Sequence, residues 1–188
     1  MSVPNPLWLI PNMITLARLL AVPVTIYLIL QSQYQPAFWL FVAAGISDAV
    51  DGFLAKRLNV VSEIGEYLDP LADKALLVGI YVTLGQTDHL VTWLVILVVF
   101  RDVLIIGGAI LFQTLTQSLK MDPLYISKVN TTAQIALAAV VLGELGFDVA
   151  LGFVSEALVY IVAATTLLSG AAYVVKWGRL AITMEQDQ

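Results

Sequence analysis

Ser47-Asp48-Ala49-Val50-Asp51-Gly52-Phe53-Leu54-Ala55-Lys56, followed by Gly65, Asp69 and Asp73, is the stretch on which the reading of this chain turns. Four aspartates sit here in sequence otherwise apolar enough for lipid. A carboxylate at the centre of a membrane helix costs about 2.5–3.5 kcal/mol on insertion scales. Four of them, with nothing to offset them, would cost on the order of 10 kcal/mol. They require a cationic partner, and a divalent metal is the obvious one.

The rest of the composition sharpens that problem. Of 188 residues, 60% are hydrophobic and 12% charged, about half the charged fraction of soluble domains. Mean hydropathy is +0.89. No core of a chain this size hides so much apolar surface, so lipid must cover it. The length suits one membrane domain over 1–188. A net charge of −5 gives nucleic-acid binding no electrostatic support. The absence of cysteine removes disulfides, thiolate catalysis and zinc–thiolate sites. The N-terminus shows neither the basic region and cleavage site of a signal peptide nor an Arg-rich transit peptide, which favours a bacterial plasma (inner) membrane.

Hydropathy predicts an all-α polytopic membrane protein with six transmembrane helices. A juxtamembrane segment, 1–9, comes first, with Leu7, Trp8 and Leu9 at the interface. Spans follow at about 11–31, 36–57, 62–85, 90–116, 125–143 and 150–177. Pro11 suits the first turn of the first span, and Ser62 an N-cap of the third. Lys56, Arg57, Lys120, Lys128, Lys176 and Arg179 lie on one side, while the loops of the other carry Asp88, His89, Glu144 and Asp148 without Lys or Arg. The positive-inside rule then places both termini, and the aspartates, toward the cytoplasm. His89, the only histidine, reads as solvated. Trp8, Trp39, Trp93 and Trp177 near span ends read as an aromatic belt.

Asp48 and Asp51 are three apart, Asp69 and Asp73 four apart. On helices both spacings put side chains on one face, about 5–6 Å between Cβ atoms. The short connection makes the second and third spans antiparallel neighbours, so the two pairs face each other across a cleft. Oxygen donors without His or Cys suit Mg²⁺ or Mn²⁺ rather than zinc. Two such ions about 3.5–4 Å apart would fit phosphoryl transfer. The competing reading pairs the aspartates with Lys74, Arg101 or Arg18, but there are too few buried cations to neutralise all four. Gly52, Ala55 and Gly65 either bring a ligand close to the backbone or serve tight helix packing.

The spacing Asp-x2-Asp-Gly-x2-Ala-Arg-x8-Gly-x3-Asp-x3-Asp resembles the signature of the CDP-alcohol phosphotransferases. Asp48, Asp51, Gly52, Ala55, Gly65, Asp69 and Asp73 match it. Lys56 departs from the family's arginine, keeping the charge but losing the bidentate fork. Further segments are similar to the phosphatidylglycerol-producing and cardiolipin-producing branch: Ile10-Pro11-Asn12 with Thr15 and Arg18, Asp69-Pro70-Leu71-Ala72-Asp73-Lys74, and Lys128 to Thr132. Arg101-Asp102-Val103 and Ile126 to Thr131 resemble the CMP-forming, cardiolipin-producing members more closely, as does the ending Ala172-Tyr173 and Gly178-Arg179.

The resemblance implies metal-dependent transfer of a phosphatidyl group from CDP-diacylglycerol to phosphatidylglycerol, giving cardiolipin and CMP. The alternative acceptor is glycerol-3-phosphate. It implies Asp48, Asp51, Asp69 and Asp73 on the metals, with Asp73 also the base at the acceptor hydroxyl, and a homodimer. Gly52, Ala55, Lys56 and Gly65 would line the nucleotide-diphosphate side, with Asn12, Thr15 and Arg18 at its nucleotide end. Arg101 and Lys128 are the expected contacts of the acceptor phosphate, since intramembrane cations mark function. Each cation has a plainer alternative: Arg101 pairing with Asp102, Lys128 snorkelling to headgroups, Arg18 pairing with an aspartate. Membrane prenyltransferases, which resemble bundles of about nine helices, fit the six spans and the spacing poorly. A cation transporter would spread its carboxylates over several helices of a repeated half rather than two adjacent ones.

Overall fold

In the computed structural model, the structure describes residues 9–58, 63–116 and 124–186. Side chains are described for these except at 9–12, 49–58, 63–71, 112–113, 115–116, 180–181 and 183–186. Among the described residues there are six helices: α1 (Leu9–Leu30), α2 (Tyr34–Leu58), α3 (Glu63–Gln86), α4 (Thr92–Thr116), α5 (Tyr125–Phe147) and α6 (Gly152–Gln186). The all-α reading therefore holds. Pro11 falls in the first turn of α1 as predicted, while α5 and α6 outrun their predicted ends, to Phe147 and Gln186. Leu7 and Trp8 of the juxtamembrane segment, and the Ser62 cap, lie outside the described residues.

Four helices are long and apolar enough to cross a membrane, over Met13–Leu30, Thr92–Leu111, Tyr125–Phe147 and Gly152–Arg179. The chain is an integral membrane protein. α2 and α3 have comparable lengths, 25 and 24 residues, but carry the charged run. Large apolar side chains stand exposed at helical spacing, Met13, Leu16, Leu20, Val24 and Tyr27 on α1, and Trp93, Ile96, Phe100 and Val103 on α4. Such a face suits lipid, because acyl chains are as apolar as the side chains they meet. Hydroxyls in these helices bond their own backbone: Thr25 donates to Ala21 O at 2.8 Å, Thr83 to Gly79 O at 2.7 Å and Ser47 to Ala43 O at 2.7 Å. That is how a polar group is tolerated where water is absent.

The chain forms two compact units. The first comprises 1–89 and 138–150, where α1 packs on both α2 and α3 around Ile29, Ala37, Ile80, Tyr81 and Leu84, each fully buried. The second comprises 90–137 and 151–188, where α4 packs on α6 and Leu94, Leu137 and Val162 are fully buried. Trp177 also packs inside its unit: its ring lies over Gly108 and against Tyr173, at 5.6 Å between ring centroids. Trp39 and Trp93 are exposed, as a belt requires.

α1, α3 and α5 end alike. Ser32, Asp88 and Asp148 take the left-handed conformation just past each helix, with φ of 57°, 60° and 54°. The next residue then donates to a carbonyl five positions back, Gln33 to Leu28 at 2.8 Å, His89 to Leu84 at 2.9 Å and Val149 to Glu144 at 3.3 Å. These are Schellman-type stops made without glycine. His89 is exposed, as predicted, but not solely solvated: it shares a 2.7 Å hydrogen bond with the Tyr34 hydroxyl. At the same unit's Gly146 an added Cβ would stand 3.0 Å from the backbone of Gln35. Gly146→Ala is therefore expected to cost about 1–3 kcal/mol, because backbone has to yield. A thermal midpoint equal to that of the parent chain would contradict this packing.

Candidate active site

Three helices of the first unit bring one cation and two carboxylates together. Arg18 on α1 places Nη1 2.8 Å from Oδ1 of Asp73 on α3 and 3.0 Å from Oδ1 of Asp48 on α2. The Arg18 side chain is 1% exposed, whereas those of Asp48 and Asp73 are 44% and 43% exposed. Thr15, one turn before Arg18 on the same helix face, is also buried. The guanidinium thus lies beneath the two carboxylates, which stay open on their other sides.

This arrangement bears on the expected cleft. Asp48 and Asp73 do converge, as helix spacing and depth predicted. α1 takes part as well, supplying the charge that meets them. The plainer alternative for Arg18, a salt bridge to an aspartate, is present twice over. Asp51 on α2 and Asp69 on α3 lie in described helix, but their side chains, with those of Asn12, Gly52, Ala55, Lys56 and Gly65, lie outside the described ones. Two carboxylate oxygens within 3.0 Å of one nitrogen mark a point where positive charge is held. Oxygen donors of this kind suit a hard divalent cation.

The second unit carries a different polar constellation. Arg101 on α4 is 3% exposed. Its Nη1 donates to Asp102 Oδ1 at 2.6 Å, its Nη2 to Ser127 Oγ of α5 at 2.6 Å, and Nε and Nη2 both donate to Ser169 Oγ of α6. Asp102 is 4% exposed. One guanidinium therefore ties three helices together, and its charge is neutralised by the next residue. One turn along α5, the fully buried Asn130 accepts through Oδ1 from the hydroxyls of Thr165 at 2.8 Å and Thr166 at 2.9 Å. The Tyr173 hydroxyl accepts from the Leu124 N–H at 3.4 Å, at the start of α5. Lys128, on that first turn, is exposed.

The pairing of Arg101 with Asp102 was one of the two alternatives open from sequence. The parts played by Ser169, Thr165 and Thr166 were not foreseen. Their signal was available in retrospect: Ser127, Asn130 and Gln134 recur at helical spacing on α5, and Thr166, Ser169 and Tyr173 on α6. Hydroxyls and amides aligned on one face of an apolar helix point to interhelical hydrogen bonds.

Comparison with known proteins bears on what such a chain does. The sequence profile of the CDP-alcohol phosphatidyltransferase family matches residues 8–178. A rice (Oryza sativa subsp. japonica) chloroplastic CDP-diacylglycerol–glycerol-3-phosphate 3-phosphatidyltransferase 1 is 34% identical over 190 residues, 91% of this chain and 57% of that protein. The human CMP-forming cardiolipin synthase is 33% identical over 199 residues, 97% of this chain and 65% of that protein. A CDP-diacylglycerol–glycerol-3-phosphate 3-phosphatidyltransferase of Bacillus subtilis is 29% identical over 184 residues, 87% of this chain and 92% of that protein. The chain spans less than two thirds of the length of the rice and human proteins.

Proposed function

The chain belongs to the CDP-alcohol phosphatidyltransferase family, and from that membership we propose that it transfers a phosphatidyl group from CDP-diacylglycerol to the hydroxyl of phosphatidylglycerol, giving cardiolipin and CMP. The observation that carries the transferase reading is the convergence of Asp48 and Asp73 on one cationic point. In this reading all six helices cross the membrane, both termini face the cytoplasm, and the chain works as a homodimer.

Asp48, Asp51, Asp69 and Asp73 would hold one or two Mg²⁺ or Mn²⁺ ions. Bound there, such ions would neutralise the diphosphate and the charge that develops on the departing CMP. An alcohol is a poor nucleophile at neutral pH, so Asp73 accepts the proton of the acceptor hydroxyl. That oxygen attacks the phosphorus bearing diacylglycerol, the new O–P bond forms, and the bond to CMP breaks. Gly52, Ala55, Lys56 and Gly65 line the diphosphate side, with Asn12, Thr15 and Arg18 at the nucleotide end. Lys128 and Arg101 meet the acceptor's phosphate, Lys128 as the exposed charge and Arg101 as a guanidinium oriented by Asp102 and two serines.

The acceptor is the finer part of the proposal. Phosphatidylglycerol is favoured by the likeness of Arg101-Asp102-Val103 and Ile126 to Thr131 to the cardiolipin-producing members. Glycerol-3-phosphate is the second reading, favoured by the names of the rice and Bacillus relatives. Purified protein with Mg²⁺ or Mn²⁺ and CDP-diacylglycerol is offered each acceptor separately, and products are separated. CMP release with phosphatidylglycerol alone is the expected result. Release with glycerol-3-phosphate alone moves the assignment to the second reading.

A further inference from the structure

The inversion of burial around Arg18 carries a consequence for cation binding. The Arg18 side chain is 1% exposed, while those of Asp48 and Asp73 are 44% and 43% exposed. A buried cation deprived of its carboxylates is an uncompensated charge, and two carboxylates deprived of the cation repel each other. The three groups therefore depend on one another when no metal is bound. Any divalent cation that uses Asp48 Oδ1 or Asp73 Oδ1 takes an atom that Arg18 Nη1 already holds, and does so beside a like charge.

We propose that Arg18 is a resident counter-cation: in the metal-free protein its guanidinium neutralises Asp48 and Asp73 from beneath, and it yields their oxygens when a divalent cation binds. The inference rests on the reading of these aspartates as the metal site. It adds that the empty site is protected from its own charge and that the cation competes with a built-in rival. Once displaced, the guanidinium can meet another anion, and a nucleoside diphosphate supplies one. Cation and nucleotide then bind with positive coupling, each easing the binding of the other.

The test is Mn²⁺ titration of the full chain in detergent, with free Mn²⁺ read by electron paramagnetic resonance, with and without CDP. Arg18→Gln and Arg18→Met both remove the charge, and methionine suits an apolar interior. Both variants are expected to bind Mn²⁺ about tenfold more tightly than the parent chain, the scale on which one neighbouring charge biases a carboxylate. CDP should tighten Mn²⁺ binding in the parent chain and do so less in the variants. Equal or weaker Mn²⁺ binding by the variants overturns the proposal. If the variants fold only when prepared with Mn²⁺, the metal is replacing the lost counter-cation, and the proposal stands; if Mn²⁺ does not rescue them, it falls. Asp73→Asn separates the two levels. Parent-like Mn²⁺ affinity in that variant removes the metal reading itself, whereas weakened affinity there with unchanged affinity in Arg18→Gln removes only the role of Arg18.

Discussion

Asp73→Asn is expected to lower turnover by about 10²–10⁴-fold, the range contributed by a positioned general base. Asparagine keeps the shape of the side chain and loses the proton acceptor. The fold should survive, because Arg18 retains Asp48 at 3.0 Å and its guanidinium is not orphaned. CDP binding measured without divalent metal should therefore persist while CMP release with acceptor collapses. The measurement is CMP release with CDP-diacylglycerol and phosphatidylglycerol, set against CDP binding by the same preparation. Turnover like that of the parent chain would remove Asp73 from the base role.

Asp102→Ala is expected to have the largest effect on stability. Asp102 and Arg101 are 4% and 3% exposed and bonded at 2.6 Å. Removing one partner of a buried pair costs about 3–5 kcal/mol, since it leaves the other charge uncompensated in a low dielectric. Here the loss also loosens Ser127 and Ser169, whose helices meet through Arg101. Replacing both members by apolar residues, as in Arg101→Met with Asp102→Leu, should recover much of that loss, because neither charge then needs solvation. Thermal unfolding of the full chain in detergent distinguishes the cases. A single variant as stable as the parent would mean that the pair holds nothing together.

Much of this protein was legible in its residues, for identifiable reasons. Runs of about twenty apolar residues have to be helices where the backbone finds no water, so an all-α chain was expected; four of its six described helices are long and apolar enough to cross a membrane. The aspartates could be paired by spacing, since residues three and four apart share a helix face. The glycine-free stops at Ser32, Asp88 and Asp148 were not legible. No local pattern forced a left-handed residue there, and the turns became evident only from the bonds that follow them.

The sequence by itself determined the class of molecule, the aspartate constellation and its family, because these depend on composition and on intervals along one chain. It left each cation with two possible partners. For two of them the tertiary structure shows pairings that spacing along the chain does not give. Arg18 meets Asp48 and Asp73, the latter 55 residues away, and Arg101 meets Ser169, 68 residues away, as well as its neighbour Asp102. Periodicity says which residues share a face of a helix. Which faces meet is settled by packing, where small residues such as Gly79, beside Ile26, and Gly108, under Trp177, let helices approach closely. That approach turned a predicted cleft of carboxylates into a site with its own buried counter-charge.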